Sequence, residues 1–375
     1  MKSFLRDDVM GMIRKAGLKP PKILTLMVTN GCNLACRHCW PQSVSGTESV
    51  ASPVSTKTLK EIIRQWSRLD LEEICLTGGE PLTHPHWLEI LRFACEQTEV
   101  KRVCLQTNAT LLKPEDCEEL AGIGKREILV QVSLEGNTEA EHDLVRGKGN
   151  FLAAVRGMER LVQAGLGKRT VVALTETRHN FPSIPRLMER LSSMGVGRLI
   201  TGTLVRAGRS REHPWLEPPT PDQYAALLSL YHTNKTFRKR YHEMANIACL
   251  EWWRGRKDSQ SETCACFERP YVTAEGVLYP CIMLPIDHLA VSGAHDTSLK
   301  DILTRAVSRW PHLPGLARKR KTDMRECKSC PGHGHCAGGC MGRAYTVDRD
   351  FMAVEDRCAL RKAVYAWHLQ EKSDD

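Results

Sequence analysis

Short apolar runs alternate with amphipathic segments from residue 23 onward, and this alternation constrains the fold more than any other feature. Short apolar runs favour buried strands, and segments with a 3.6-residue period favour helices. The predicted strands are Ile23–Val28, Glu73–Leu76, Arg102–Gln106, Ile128–Leu134, Thr170–Thr175 and Arg198–Val205, and the predicted helices are Ser55–Arg68, His86–Glu96, Pro114–Ala121, Phe151–Ala164, Pro182–Met194 and Pro221–His232. Six such units indicate an α/β fold with a parallel sheet and outer helices. A partial (β/α)6 TIM-like barrel is its natural closure.

The chain has 375 residues, which is enough for a barrel and an additional domain. Near the N-terminus, apolar side chains recur on one side of a helix until Gly17 and two prolines end the pattern. Cysteines become frequent again after residue 263. We therefore divide the chain into an N-terminal helix (1–21), the barrel (22–235), a connector (236–263) and a C-terminal cysteine-rich domain (264–375).

Three cysteines follow the first predicted strand at a C-x3-C-x2-C spacing. The segment Gly31–Trp40 (GCNLACRHCW) contains Cys32, Cys36 and Cys39. Three thiolates on a short loop can hold three irons of a [4Fe–4S] cluster and leave the fourth iron open to an external ligand. The spacing also matches one face of a helix, but Gly31 and Asn33 favour a loop. A zinc knuckle would need a further His or Cys at finger spacing, which the following sequence lacks, so we interpret the loop as a cluster site.

Polar or glycine-rich residues follow the carboxyl ends of all six predicted strands, where parallel barrels build their active sites. In chain order these are the cysteine loop, Thr77–Pro81 (TGGEP), Thr107–Asn108, Ser133–Gly136 (SLEG), Asn180 and Gly208. Ordinary turn chemistry explains one such segment readily, but not a whole ring of them. We expect a ligand site at this end of the barrel.

The cysteine loop resembles the signature of the radical S-adenosylmethionine superfamily, whose fold is a partial barrel. The resemblance implies that Cys32, Cys36 and Cys39 bind a [4Fe–4S] cluster whose open iron is chelated by S-adenosylmethionine. It also implies that the compound is cleaved reductively, and that a 5′-deoxyadenosyl radical abstracts hydrogen from a substrate. The cysteine spacing by itself shows only an incomplete ligand shell.

Other segments resemble the motifs by which this superfamily contacts S-adenosylmethionine. The motif near its amino group is matched by Gly78, Gly79, Glu80 and Pro81, where the glycines let backbone acceptors come close. The resemblance also assigns contacts to Asn108, Ser133, Arg146 and Asn180. Glu135 stands where many relatives have Asp, and it adds a methylene. Arg146 belongs to a stretch that resembles the HD-x2-RG motif of the same relatives, and it can pair with a ligand carboxylate or form a structural salt bridge.

The C-terminal region has a second group of cysteines at metal-binding spacings. They are Cys264, Cys266, Cys281, Cys327, Cys330, Cys336, Cys340 and Cys358. Closely spaced cysteines in a long enzyme-like chain favour metal binding in a reducing compartment over disulfides. Taken alone, C-x2-C and C-x3-C pairs fit tetrahedral zinc as well as an iron–sulfur cluster.

The spacing resembles the SPASM (twitch-type) extension of the same superfamily, because nine residues separate Cys266 from Gly276 and four separate Gly276 from Cys281. The resemblance implies two auxiliary [4Fe–4S] clusters. Cys281 and Cys340 would hold the first together with Cys264, Cys266 or both, and the second would be held by Cys327, Cys330, Cys336 and Cys358. The short interval between Cys264 and Cys266 leaves open whether the first cluster has an open iron.

Charge and hydropathy point to a cytoplasmic protein. The net charge is +9, but the densest basic run, Arg318–Lys321 (RKRK), has no interleaved aromatic residues. We therefore expect this run to be a solvated face and expect no nucleic-acid partner. Charged residues interrupt any signal-peptide core near the N-terminus, and no apolar run is long enough to span a membrane, so no membrane association is expected.

The resemblance covers roughly residues 22–360 and implies an enzyme that modifies a ribosomally synthesised peptide or protein. The implied partners are that substrate, a low-potential electron donor such as flavodoxin or ferredoxin, and a separate peptide-recognition protein. An alternative is tetrapyrrole side-chain modification in haem biosynthesis. An alternative of another class is a noncatalytic iron–sulfur electron carrier or a zinc-binding module. The sequence identifies no catalytic base or hydrogen donor.

Overall fold

A computed structural model describes residues 2–41, 43–45, 54–123, 127–255 and 264–371 of the chain. The end of the predicted connector, residues 256–263, lies outside the described residues. In the part of the chain that is described, no helix has the length and apolar character needed to cross a bilayer.

Strands and helices alternate through the predicted barrel. The elements are α1 (Lys2–Lys15), β1 (Ile23–Met27), β2 (Gly31–Cys32), β3 (Val44–Ser45), α2 (Thr56–Ser67), β4 (Glu73–Thr77), α3 (Trp87–Glu96), β5 (Arg102–Thr107), α4 (Pro114–Gly122), β6 (Glu127–Ser133), α5 (Glu139–Arg146), α6 (Asn150–Gln163), β7 (Thr170–Glu176), α7 (Ile184–Ser193), β8 (Arg198–Thr203), α8 (Pro221–Thr233), α9 (Lys235–Met244), β9 (Ala245–Asn246) and α10 (Ala248–Gly255). All predicted strands and helices of this region are confirmed, with ends that shift by no more than two residues. Helix α5, which the sequence analysis did not predict, contains the HD-x2-R part of the stretch to which Arg146 belongs.

Short strands and helices make up the C-terminal region. They are β10 (Tyr271–Val272), β11 (Val277–Tyr279), β12 (Val291–Ser292), α11 (Leu299–Arg309), α12 (His312–Asp323), α13 (His333–Cys336), α14 (Met341–Asp348) and α15 (Cys358–Glu371). The chain as a whole divides into two compact units. The first comprises Met1–Ala35, Ser43–Gln131 and Ala265–Leu316, and the second comprises Cys36–Gln42, Val132–Cys264 and Ala317–Asp375. Each unit thus combines part of the predicted barrel with part of the cysteine-rich region.

In the first unit, the segment after Cys266 adds strands to the barrel sheet. Strand β10 pairs in parallel with β1, with Thr25 opposite Tyr271. Strands β11 and β12 continue the sheet in antiparallel fashion, and β1 pairs on its other side with β4, which pairs with β5. Gly276 forms the turn between β10 and β11 with a φ of 75°, a conformation that favours glycine. The spacing around Gly276 therefore encodes a hairpin.

In the second unit, β7 and β8 pair in parallel along their whole length, and β9 pairs with β8. Strand β7 ends in Glu176, a fully buried carboxylate that accepts hydrogen bonds from the hydroxyls of Tyr224, Thr201 and Thr203. Burial raises the pKa of Glu176, and the hydroxyl donors offset part of that effect. The polar cluster therefore joins the end of β7 to β8 and helix α8.

Two buried arginines hold the C-terminal segments of the second unit. Arg320 donates to the carbonyl oxygens of Ala353 at 2.9 Å and Gly338 at 2.8 Å. The expectation of a solvated face over residues 318–321 is thus wrong for Arg320, because its guanidinium is buried and donates to loop carbonyl oxygens. Arg343 pairs with Asp356 and donates to the carbonyl oxygen of Thr203 at 3.1 Å, which fastens α14 to the end of β8.

A cluster of aromatic rings forms part of the core of the first unit. The Phe267 ring lies 6.4 Å from that of Trp66 and 5.4 Å from that of Trp310, measured between ring centroids. Trp310 is fully buried, and its Nε1–H donates to the Leu289 carbonyl oxygen at 2.8 Å. The cluster therefore packs helix α2 against the residues that follow Cys266.

We expect Trp310→Ala to lower the free energy of unfolding by about 3–5 kcal/mol, since it creates a large cavity and leaves a buried carbonyl without a donor. Urea unfolding of the anaerobically prepared protein measures the change. Trp215→Ala is the control, because that side chain is 41% exposed and its loss should change the unfolding free energy by less than about 0.5 kcal/mol. Equal effects of both substitutions would contradict the importance of this cluster.

Candidate functional site

The first part of the cysteine loop lies in the first unit and is not helical, as the sequence indicated. Gly31 and Cys32 form β2, which pairs in parallel with β3. The N–H of Leu34 donates to Cys32 Sγ at 3.4 Å. This hydrogen bond fixes the Cys32 side chain relative to the backbone of the loop.

The two glycines of the TGGEP segment lie against the backbone that leads into Cys32. The N–H of Gly79 donates to the Thr29 carbonyl oxygen at 2.9 Å, and the N–H of Glu80 donates to that of Gly31 at 2.8 Å. A Cβ atom on Gly79 would lie 2.3 Å from the Gly31 oxygen. Only glycine permits this approach, so the motif fixes the position of the cysteine loop in this unit.

The carboxylate of Glu80 connects this motif to the end of β5. It is buried and accepts hydrogen bonds from the Thr107 hydroxyl at 2.6 Å and the Asn108 N–H at 2.6 Å. Asn108 in turn donates through Nδ2 to Asn33 Oδ1 at 2.9 Å, and Pro81 begins a short 3-10 turn. The predicted contacts of these side chains with S-adenosylmethionine stay predictions. Their bonds within the protein make them supports of the cysteine loop.

We expect Gly79→Ala to displace Gly31 and thereby the adjacent Cys32. After anaerobic reconstitution the variant should bind less iron and lose the change in its electron paramagnetic resonance spectrum on addition of S-adenosylmethionine. Gly122→Ala is a matched control, because no atom lies within 4 Å of the position that its Cβ would take at the end of α4. An unchanged spectral response in Gly79→Ala would show that the close approach is not required.

In the second unit, a buried ion pair lies beside Cys36. The Glu135 side chain is 1% exposed and accepts hydrogen bonds from Arg146 Nη2 at 2.6 Å and from the Thr175 N–H at 2.7 Å. His38 Nε2 lies 3.3 Å from the same carboxylate. Arg146 Nη1 lies 3.7 Å from Cys36 Sγ. The structural salt bridge considered for Arg146 is therefore present, and it places a cation against a predicted cluster ligand.

Glu135, Arg146 and Cys36 interact electrostatically in a buried environment. Burial alone would raise the pKa of Glu135, but Arg146 and His38 outweigh it and hold that pKa well below its usual range. Burial also raises the pKa of the Cys36 thiol, and Arg146 opposes this. Glu135 thus remains a carboxylate that orients Arg146, and Arg146 favours the thiolate of Cys36. The extra methylene of Glu135 is accommodated by these contacts within the protein.

Ser133 and Asn180 lie at the ends of β6 and β7, as predicted. The Asn180 side chain is fully buried, and its Nδ2 donates to the carbonyl oxygens of Glu135 and Thr175, each at 2.9 Å, while its Oδ1 accepts from the Thr177 N–H at 2.8 Å. Its predicted contact with the ribose stays a prediction. Both ends of the amide are engaged within the protein, which supports a role in positioning Glu135.

His142 supports Glu135 from helix α5. Its Nδ1 accepts the Glu135 N–H at 3.0 Å, so this ring nitrogen carries no proton. Burial and the neighbouring Arg146 together lower the pKa of His142 to about 4. The neutral imidazole is therefore part of the folded structure.

His142 makes the folded state depend on pH. The unfolded state takes up a proton near the ordinary histidine pKa of about 6.5, whereas the folded state resists it down to about 4. The contribution of neutral His142 to the free energy of unfolding is complete above pH 6.5 and is lost as the pH falls towards 4.

We expect the free energy of unfolding to fall by about 2 kcal/mol between pH 7.5 and 5 because of His142, and His142→Gln should abolish this loss. Urea unfolding at both pH values, with His86→Gln as control, tests this, and an identical pH dependence in His142→Gln would contradict it.

The segment after β8 contacts the second part of the cysteine loop. Arg209 donates through its N–H to the Cys39 carbonyl oxygen at 3.1 Å and through Nε to that of Cys36 at 3.0 Å. Gly208 has a φ of 58°, and a Cβ there would lie 2.5 Å from the Cys39 oxygen. Gly208 was predicted from the sequence, but Arg209 was not, because nothing in the sequence shows which of several arginines in this segment turns inward.

Four of the C-terminal cysteines surround one cavity in the second unit. The cavity is lined by Cys327, Cys330, Cys336 and Cys358. A single tetrahedral zinc would draw the sulfur atoms to within roughly 3.8 Å of each other. Among the described residues, no three of these four bring their sulfur atoms within 4.8 Å of one another. The donor set and its spacing fit a multi-iron cluster better than zinc.

A buried carboxylate lies between this cavity and Cys340. Glu355 Oε2 accepts the Cys340 N–H at 2.8 Å and pairs with Arg357 at 2.6 Å, and Glu355 also pairs with Arg361, which lines the cavity. Arg361 lies over the Trp252 ring, 4.1 Å from its centroid. This network was not predicted from the sequence, although the charges of Glu355, Arg357 and Arg361 lie close together around the last cysteine.

The remaining predicted cluster ligands are found in both units. In the first unit, the residues after Cys266 pair with the Cys281 segment, since the Phe267 N–H donates to the Pro280 carbonyl oxygen at 3.0 Å and Arg269 forms a bridge with Cys281. In the second unit, burial raises the pKa of Cys340, and the Cys264 thiol contributes to the shift through its proximity. Cys266 thus shares its unit with Cys281, and Cys264 shares its unit with Cys340.

The fold is a parallel α/β barrel with three cysteines after its first strand. A glycine motif after the second barrel strand holds the cysteine loop. This combination defines an iron–sulfur enzyme with an open ligand position. The chain contains a radical SAM domain, because the model of the radical SAM superfamily matches residues 26–190. This family uses S-adenosylmethionine and a [4Fe–4S] cluster, as the sequence indicated. The chain is therefore an enzyme and not a zinc module or a noncatalytic carrier.

Individual relatives match over most of the chain. The AdoMet-dependent heme synthase of Methanosarcina barkeri is 25% identical over 91% of this chain and 97% of its own length. The antilisterial bacteriocin subtilosin biosynthesis protein AlbA of Bacillus subtilis is 29% identical over 95% of this chain and 73% of its own. The structure of Streptococcus suis SuiB bound to the precursor peptide SuiA superposes with a TM-score of 0.71 at 17% identity, covering 93% of this chain and 78% of that one. This similarity confirms the predicted partial barrel, which is followed by a cysteine-rich C-terminal region.

Proposed function

We propose that this enzyme cleaves S-adenosylmethionine reductively and abstracts hydrogen from a ribosomally synthesised peptide or protein. The observation that carries the proposal is the three-cysteine loop at the barrel mouth together with the Gly79 contact that positions it. The peptide class is supported by the similarity to AlbA, which serves the biosynthesis of a bacteriocin. When bound, the cluster and its cosubstrate supply a 5′-deoxyadenosyl radical.

The residues that would hold the cofactors follow from the donor chemistry. Thiolates are the ligands of iron–sulfur clusters. Cys32, Cys36 and Cys39 would bind the cluster that receives S-adenosylmethionine, and Gly78, Gly79, Glu80, Pro81, Asn108, Ser133, Arg146 and Asn180 would contact or support the cosubstrate. The second auxiliary cluster would occupy the cavity of four cysteines, and the first would be held by Cys281 and Cys340 with Cys264, Cys266 or both.

Electrons and substrate must both reach this enzyme from outside. A low-potential donor such as flavodoxin or ferredoxin would supply the electron for reductive cleavage, and the auxiliary clusters would relay electrons. A separate recognition protein would deliver the peptide. The closely spaced cysteines favour metal binding over disulfides, which supports a reducing compartment such as the cytoplasm.

Tetrapyrrole side-chain modification is the second candidate. It is favoured by the M. barkeri heme synthase, which the match covers over nearly its whole length. Both candidates require hydrogen abstraction at the same site, so they differ in the substrate and not in the cofactors.

We expect the reduced, reconstituted enzyme to form 5′-deoxyadenosine from S-adenosylmethionine, and Cys36→Ala to reduce this to the level without enzyme, because two thiolates cannot hold the cluster in its open form. Chromatography with mass detection measures the product. Cys95→Ala, a buried cysteine of α3 outside the predicted ligand sets, is the matched control and should retain activity. Continued cleavage by Cys36→Ala would refute the assignment.

The substrate class is tested by isotope transfer. A deuterated precursor peptide should pass deuterium into 5′-deoxyadenosine, whereas a deuterated tetrapyrrole carboxylic acid should not. The reverse result would support the heme-synthase alternative. Transfer from neither compound, with cleavage intact, would show that the radical chemistry is correct and both substrate classes are wrong.

A further inference from the structure

Trp215 is an exposed tryptophan surrounded by three nitrogen-bearing side chains. Its side chain is 41% exposed, on the segment that follows β8. The Arg37 guanidinium carbon lies 5.7 Å from the indole centroid, and the ring centroids of His179 and His213 lie at 6.1 and 5.8 Å. Arg37, His179, His213 and Trp215 all belong to the second unit, and we call these four residues the indole group.

The indole group lies at the functional end of the barrel strands. His179 follows β7, His213 and Trp215 follow β8, and Arg37 lies between two predicted cluster ligands. The segment that bears Trp215 is fastened to the cysteine loop by the hydrogen bonds of Arg209 to Cys36 and Cys39. A substrate that presents a hydrogen atom beside the cluster must therefore pass close to this surface.

Isolated apolar side chains on a surface are common and need no function. Leu111, Leu152 and Val347 are similarly exposed in the described part of the chain. Trp215 differs from them because its flat aromatic face lies next to the Arg37 guanidinium and two histidine rings. Tryptophan and arginine in such an arrangement are the residues that dominate binding energy in protein interfaces.

The surrounding segment is strongly basic. Residues 206–213 (RAGRSREH) contain three arginines and one histidine against a single acidic residue, Glu212. Arg211 is exposed, and its guanidinium donates to the Thr346 carbonyl oxygen at 2.6 Å. A positive surface with an aromatic platform fits a partner that carries carboxylates next to an aromatic ring.

We propose that the indole group is a substrate-docking surface that binds an acidic stretch of the peptide containing an aromatic residue. This rests on the proposed function, since it names the part of the enzyme that receives the peptide. The aromatic side chain stacks on Trp215, and the neighbouring carboxylates pair with Arg37 and the histidines. The surface thereby selects which residue of the peptide is brought to the radical.

The test uses the reconstituted enzyme with S-adenosylmethionine and three synthetic peptides in anaerobic calorimetry. One has tyrosine flanked by aspartates, one has the aspartates replaced by asparagine, and one has the tyrosine replaced by alanine. We expect the first to bind, and each replacement to weaken it roughly tenfold. Trp215→Ala and His179→Ala should weaken the first peptide to the level of its replaced forms, and binding should fall with added salt.

Leu152→Ala, an equally exposed apolar residue of the same unit, is the matched control and should bind as the wild type does. Unchanged peptide affinity in Trp215→Ala would overturn the proposal, as would equal binding of all three peptides. A porphyrin carboxylic acid is titrated in parallel. Trp215-dependent binding of the porphyrin without binding of any peptide would overturn the peptide assignment, while formation of 5′-deoxyadenosine in the same samples reports separately on the radical chemistry.

Discussion

The cysteine loop is held in place by hydrogen bonds from segments that lie at the ends of barrel strands. In the first unit, the Gly79 and Glu80 N–H groups bind the carbonyl oxygens of Thr29 and Gly31. In the second, the N–H and guanidinium of Arg209 bind those of Cys39 and Cys36. The short cysteine loop is not rigid by itself, so residues at the strand ends hold its thiolates in fixed positions.

Buried charged groups lie beside two of the predicted cluster ligands, Cys36 and Cys340. Glu135 orients Arg146 beside Cys36, and Glu355 joins Arg357 and Arg361 to the Cys340 backbone. Burial opposes ionisation of Glu355, but the two arginines outweigh it and lower its pKa to about 2. Such pairs contribute little net stability, because desolvation offsets the attraction, but they hold a single geometry. Clusters with fixed thiolate positions require that kind of order.

Much of the architecture was predictable from local sequence. The barrel strands and helices have clear periods and end at proline or glycine, so their positions agreed within two residues. Helix α5 was missed because it has only eight residues and is mostly polar. Arg320 was predicted to be solvated, because a charged side chain in a basic run is expected to be exposed. The carbonyl oxygens to which it donates are known only from the structure. The pairing of β10 with β1 involves residues about 245 positions apart, and no local signal encodes it.

The sequence by itself determined the class of chemistry, because the ligand types and their spacings are covalent properties of the chain. It also determined the barrel elements, since hydrophobic period is local. Only the tertiary structure decided which polar side chains form hydrogen bonds within the protein and which side chains are exposed. Asn180 and Glu80 turned out to be engaged within the protein, while Trp215 remained exposed among basic groups. Burial and hydrogen-bond partners depend on residues far apart in sequence, so they are fixed only when the chain has folded.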